Sequence, residues 1–241
     1  MSGHSKWATT HRQKAIVDAK RGAIFTKIGN QIAIAARGGT DPATNSALAM
    51  AIEKAKAANM PNANIQRAID RVNDKNAAAL EEVTYEAYGP GGVGIIVEAA
   101  TDNKNRTYPE IRTALTKNGG TMADAGSVMF QFTRKGVIRV AATGEDALLQ
   151  VLDAGAEDAI EESGGLTVYT DMKDLAKVRA ALVQAGLNVE DAELQYVANN
   201  DVPVGDMETA RKLMRVLDAV EELDDVTNVH TNADITVDID E

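Results

Sequence analysis

The chain of 241 residues has no cysteine, which excludes disulfides and thiolate metal sites and fits a reducing compartment. Aromatic residues make up only 4% of it, with Trp7 the single tryptophan, so a protein that stacks many bases on aromatic rings is not expected. Histidine occurs only at His4, His11 and His230, without HExxH or paired-histidine spacing. Neither a phosphate-cradling GxxxxGK loop nor a GxSxG nucleophile elbow is present, so no enzyme, cofactor or metal is expected. No run approaches the roughly 18 apolar residues of a membrane span, and no apolar segment follows the N-terminal charges as in a secretory signal. The expected location is cytoplasmic.

What is present is a strong separation of charge. From Ser2 to Gly39 the chain carries Lys6, Arg12, Lys14, Lys20, Arg21, Lys27 and Arg37 against one acid, Asp18, a net +6 in a chain whose total is −11. A basic segment on an acidic protein is held by polyanions, of which nucleic acid is the commonest. The same pattern, poor in acids and partly amphipathic, also fits an organelle transit peptide. Through Lys75 the net charge is +7, leaving −18 for the remainder.

Periodicity divides the chain into three domains of α+β class. Residues 1–78 read as a basic all-helical domain. Its long first helix carries Ile16, Ala19, Ala23, Ile24, Ile28, Ile32 and Ala35 and stops at Gly38-Gly39. Asp41-Pro42 then starts a helix with Leu48, Ile52 and Ala55 inward, and a third follows Pro61 with Ile65, Ile69 and Val72 inward and Arg67 and Arg71 beside them. From Val83 the period changes to that of strands: Val83–Tyr88 and Val93–Thr101 around Gly89-Pro90-Gly91-Gly92, a helix capped by Thr107 and ending before Gly119-Gly120, and a strand at Val128–Thr133.

Arg134-Lys135-Gly136 reads as a turn into a further unit. Its order is Val137–Ala141 strand, Glu145–Ala154 helix, Ala159–Glu162 and Leu166–Tyr169 strands, Asp171–Ala185 helix and Glu193–Val197 strand, the split βαβ order of a ferredoxin-like domain. Asn199–Gly205 reads as a linker. The last helix, Asp206–Leu223, and last strand, Val226–Thr231, cannot form a domain alone. The expected arrangement is therefore an acidic ferredoxin-like domain, 135–204, inserted into a discontinuous α+β middle domain, 79–134 with 205–241.

Candidate nucleic-acid contacts are Lys6, Trp7, His11, Arg12, Lys14, Lys20, Arg21, Lys27 and Arg37, because clustered cations neutralise phosphates with little sequence preference. Trp7 serves equally as a base-stacking ring or a core anchor. Lys104 and Arg106, in the loop from Asp102 to Thr107, suit an anion site at a helix start or a capped, solvated loop. The GxGxxG match from Gly89 to Gly94 is rejected as a dinucleotide site because a strand follows it where a helix is required. Acids at Asp224, Asp225, Asp234, Asp238, Asp240 and Glu241 read as a solvated tail, or as a nucleic-acid mimic covering the basic domain. An enzyme reading would place a site between domains, built from Tyr88, Asp102 and Arg106.

These stretches resemble the YebC/PmpR family, whose mitochondrial member is the translational activator of cytochrome c oxidase subunit I. The matching residues are Gly3-His4-Ser5-Lys6-Trp7, Asp18-Ala19-Lys20-Arg21-Gly22, Phe25-Thr26-Lys27, Ala58-Asn59-Met60-Pro61, Tyr88-Gly89-Pro90-Gly91-Gly92-Val93, Thr101 through Thr107, Gly126-Ser127-Val128 and Arg134-Lys135-Gly136. Asp225-Val226 and Asn228-Val229 resemble the family's C-terminal strand, and the inserted unit matches more loosely. Because the match begins at Ser2, it leaves no room for a transit peptide. After His11-Arg12, Gln13 thins the family's basic run. The resemblance implies three domains, no assigned enzymatic activity, and a transcriptional regulator that binds DNA. It also admits a translation factor acting on the ribosome or RNA, including at stalled proline-rich stretches. The missing helix-turn-helix recognition pattern favours the second.

Overall fold

The structure is a computed structural model that describes residues 21–74, 78–162 and 164–237, with Arg21 described by its backbone alone. In chain order the elements are α1 (Arg21–Ala36), α2 (Ser46–Ala57), α3 (Asn62–Asp70), β1 (Glu81–Tyr88), β2 (Gly94–Thr101), α4 (Lys104–Asn118), β3 (Thr121–Met122), β4 (Phe132–Val140), α5 (Glu145–Asp153), β5 (Asp158–Glu162), β6 (Gly165–Thr170), α6 (Leu175–Gln184), β7 (Val189–Ala198), β8 (Val202–Val204), α7 (Met207–Glu221), β9 (Val226–Thr231) and β10 (Ala233–Ile235). The described residues divide into two compact units, Thr133–Val197 and everything on either side of it.

In the first unit, α1 buries Ile28, Ile32 and Ala36 against Leu48, Ala55, Ile65 and Ile69 of the next two helices. Ile16 and Ala19 of the expected stripe lie outside the described residues. The second helix starts at Ser46 and not at Asp41-Pro42. Asp41 uses its carboxylate in a local turn, accepting from the Ala43 amide at 2.9 Å. Asn45 is the cap, accepting from Leu48 N at 3.1 Å and donating to Ala35 O and Gly39 O, so it also ties down the end of α1. Val72 leaves its expected inward stripe and is 40% exposed, because the chain tightens into a 3-10 turn at Arg71–Asn73 and rotates it outward.

Strands β1 and β2 pair antiparallel from Glu81↔Thr101 to Tyr88↔Gly94, in a sheet of order β3-β1-β2-β9. The chain thus returns after the second unit to supply the fourth strand. One face of this sheet, with Ala87, Ile95, Val97 and Ala99, is buried beneath Ile111 and Leu115 of α4 and Leu213, Leu217 and Val220 of α7. Helix α1 packs from the other side, against β2 and β9. Gly91 and Gly92 in the hairpin turn have φ of 81° and 76°, which few other residues adopt.

Three expectations here are corrected. Val128–Thr133 is not one strand: the Val128 and Met129 amides donate to the Glu86 carboxylate, Met129–Gln131 forms a 3-10 turn, and β4 starts at Phe132. That strand runs straight through Arg134-Lys135-Gly136, which makes no turn. One edge of the first sheet is instead the two-residue β3. Asn199–Gly205 is not a plain linker, since β8 pairs in parallel with β10, and Val202 N donates to Asn232 O at 2.7 Å. Pro203 is tolerated because a two-stranded ladder leaves an edge free.

The second unit has sheet order β5-β6-β4-β7, with β5–β6 and β6–β4 antiparallel, the strand order of the ferredoxin-like arrangement. Its core holds Ile138, Val140, Leu166 and Val168 from the sheet with Val151, Val178 and Leu182 from the helices. Helix α6 starts at Leu175 rather than Asp171, whose side chain instead closes a turn by accepting from Lys173 N at 2.9 Å.

Candidate functional site

Lys6, Trp7, His11, Arg12, Lys14 and Lys20 lie outside the described residues, as does the side chain of Arg21. The four remaining candidate cations all have protein partners. Lys27 Nζ donates to Glu221 O at the C-terminus of α7, where a helix presents partial negative charge. Arg37 Nη1 donates to Leu80 O at 3.0 Å. These two bonds, one within α1 and one just past its end, fasten the helical bundle to the end of α7 and to the entry of β1.

Lys104 pairs with Glu81 at 2.6 Å across an exposed surface. Arg106 Nη2 binds both oxygens of Asp225, at 2.7 and 3.0 Å, and Asp102 at 3.3 Å. The helix they belong to begins one turn before the expected cap. Asn103 accepts from Arg106 N at 3.2 Å, α4 starts at Lys104, and Thr107 is buried inside the first turn.

There the Thr107 hydroxyl donates to Asp225 Oδ2 at 2.6 Å, and the Thr101 hydroxyl donates to the same oxygen at 3.0 Å. Burial pushes the Asp225 carboxyl up, but the donors Thr107, Arg106 and Thr101 outweigh it and hold the group below the ordinary aspartate range. Asp225 is therefore not part of a solvated tail: its side chain is only 13% exposed. The sequence signal for this junction was the polar run from Thr101 to Thr107, a strand end followed by an N-cap. Its partner stands over a hundred residues away, beyond local inference.

Beside Asp225 an open cleft of about 600 Å³ lies between the bundle, the start of α4 and the end of α7. Thr26 and Asn30 of α1 and Arg71 form one wall, and Asp102, Arg106, Glu110 and Glu222 to Asp225 the other, with Leu80 also on the lining. Among the described residues that line it are five carboxylates and two guanidinium groups. Asp102 and Arg106 of the enzyme reading meet here, but Tyr88 does not. It pairs with Gly94 at the far end of the hairpin, about 23 Å from Thr101 at the rise of an extended strand, and its hydroxyl donates to Ser127 O. Among the described residues, no group of three or more metal-ligating side chains is assembled.

The glycine turn also has a packing explanation. A Cβ on Gly89 would come within 2.8 Å of Leu213 and 3.1 Å of Ile95, so the turn lies directly on α7. Among the described residues, no helix is long and apolar enough to cross a membrane.

Comparison with known proteins covers nearly the whole chain. Residues 5–75 match the family model described as TACO1/YebC protein N-terminal domain, and residues 80–233 match TACO1/YebC second and third domain. A protein of Parafrankia sp. named as a probable transcriptional regulatory protein is 48% identical over 99% of this chain and 98% of its own. One of the same name from Thermobifida fusca is 50% identical over 98% of this chain and 96% of its own. The crystal structure of a conserved hypothetical protein from Aquifex aeolicus superposes with a TM-score of 0.89 at 41% identity, covering 95% of this chain and 96% of the other. With two family models matched end to end and the architecture shared, the chain belongs to the TACO1/YebC family.

Proposed function

We propose that the protein is a non-catalytic regulator of gene expression that binds nucleic acid through its basic N-terminal segment, with duplex DNA as the partner that the names of its relatives suggest. The observation that carries this reading is the charge separation: +6 between Ser2 and Gly39 against −11 for the whole chain. Lys6, Arg12, Lys14, Lys20 and Arg21 hold phosphates, with Trp7 and His11 beside them. Lys27 and Arg37 spend their donors on Glu221 O and Leu80 O and hold the bundle in place. Lys104 and Arg106 reach a phosphate only by giving up Glu81 and Asp225.

A second reading, binding to RNA or the ribosome, is favoured by the absence of a helix-turn-helix recognition pattern in the sequence. Both are tested by measuring affinity for duplex DNA, for RNA and for ribosomes across a salt series. Replacing Lys6, Arg12, Lys14 and Lys20 by alanine lowers the salt slope for duplex by about 0.9 for each phosphate that is no longer neutralised. A duplex held at physiological salt while ribosomes are not supports the transcriptional reading. Tight ribosome association, with DNA affinity that collapses as salt rises, supports the translational one. An unchanged slope in the variant overturns both.

A further inference from the structure

Phe130 is 72% exposed, more than any other large apolar side chain among the described residues. One exposed apolar side chain is ordinary by itself. What sets this one apart is the loop that carries it. The Glu86 carboxylate holds the amides of Gly126, Val128 and Met129. The Tyr88 hydroxyl donates to Ser127 O at 2.9 Å, and the Asn232 side chain donates to Gln131 Oε1 at 2.7 Å. Asn199 donates twice, from its backbone to Gln131 O at 2.8 Å and from its side chain to Phe130 O at 3.2 Å. Two residues before and two after, Val128 and Phe132 are buried, and the 3-10 turn at Met129–Gln131 carries Phe130 outward between them. The loop is therefore fixed from three separate segments of the chain while the ring at its tip is left in water. That is the arrangement of a contact group ordered in advance of binding.

The surroundings restrict the partner. A stable protein interface buries about 800 Å² on each side around a core of several apolar residues. Here the other exposed positions of the loop are Asp124, Ala125 and Gly126, and the polar Ser127 and Gln131 are half-buried. A single flat ring in a polar setting fits a single flat partner, and a nucleobase has that form, a π face with polar edges. Inside a duplex both faces of a base are already stacked, so the base must be an unpaired one. Stacking is also what the cations of the basic segment do not supply, since phosphate contacts position a strand without touching its bases.

We propose that Phe130 is a stacking platform for one unpaired nucleobase of a single-stranded nucleic acid. The inference rests on the reading of the chain as a nucleic-acid binder and adds a contact outside the basic N-terminal segment. RNA and single-stranded DNA share this chemistry.

The test is fluorescence anisotropy of the full chain with labelled oligouridylate, oligothymidylate and a DNA duplex of mixed sequence, across a salt series. Phe130→Ala is expected to weaken binding of the single strands about tenfold, the worth of one stacked base, while duplex affinity and Tm stay as in wild type. Its salt slope is expected to match that of wild type, because no phosphate contact is lost. Phe130→Leu keeps apolar bulk without the ring and is expected to bind like the alanine variant, whereas Phe130→Trp binds at least as tightly as wild type. Tighter oligouridylate assigns the partner to RNA, and tighter oligothymidylate assigns it to single-stranded DNA.

If wild type holds the single strands and either Phe130→Ala or Phe130→Leu holds them equally well, stacking is overturned while the nucleic-acid reading stands. The same follows if wild type holds the duplex alone. If it holds no nucleic acid of any kind, both fall together.

Discussion

Two carboxylates hold the opposite ends of the β1–β2 hairpin, and they do it with different donors. At the Tyr88 end, Glu86 is buried at 7% exposure and accepts from three backbone amides, Gly126 at 2.5 Å, Val128 at 2.6 Å and Met129 at 2.8 Å. At the Thr101 end, Asp225 accepts from three side chains, Thr101, Arg106 and Thr107. Backbone donors have no alternative partner once the loop is folded over the sheet, so Glu86 dictates the path of residues 126–129. Side-chain donors at the edge of a cleft can turn to water. The Glu86 end is therefore tied by the backbone itself, and the Asp225 end is the one a charge change can alter.

This contrast is broken or sharpened by four experiments. Glu86→Ala leaves three amides unpaired beneath the loop and is expected to cost about 3–6 kcal/mol of unfolding free energy in urea. A loss below about 1 kcal/mol, less than one unpaired buried amide, would show that the loop is held by something else. Asp225→Ala is expected to cost less, about 2–3 kcal/mol, because Arg106 is half-exposed and rehydrates when freed. Equal losses at the two ends would remove the distinction between backbone and side-chain donors.

Acid should act on both ends. At Glu86 burial raises the carboxyl, but the amides of Gly126, Val128 and Met129 outweigh it and hold the group below the usual glutamate value; Asp225 is likewise lowered. A carboxyl lowered in the folded state contributes stability above its unfolded value, and that stability is lost as pH falls through the folded one. Tm is thus expected to hold from neutral pH down to the ordinary carboxylate range and to drop below it. Glu86→Gln should shrink that drop. The smallest effect is at Lys104→Ala: its pair with Glu81 lies on the exposed surface, and no measurable change in Tm is expected.

How far the sequence could be read depended on how local each signal is. Ile28 and Ile32, Leu213 and Leu217, and the Gly89–Gly92 turn announce their elements within a few residues, and each lies where the periodicity places it. The order of elements in the second unit, strand, helix, strand, strand, helix, strand, leads directly to its sheet order. Val128–Thr133 failed because its apolar alternation is that of a strand while its amides are committed to a carboxylate some forty residues away. Asn199–Gly205 failed because a three-residue strand containing proline pairs only with a strand thirty residues later. For the site, the polar run at Thr101–Thr107 was visible as a candidate, whereas Asp225 read as part of a tail because its donors stand over a hundred residues away.

By itself the sequence determined the α+β class, the insertion of one ferredoxin-like unit within another domain, the charge separation and the family, because each of these is written in runs of neighbouring residues. Only the tertiary structure decided that Lys27 and Arg37 fasten the bundle to the end of α7 and to the entry of β1, and that Asp225 is a buried acceptor beside an open cleft. Those depend on which distant atoms meet and on what burial does to their charges, and neither periodicity nor composition encodes a distance across a fold.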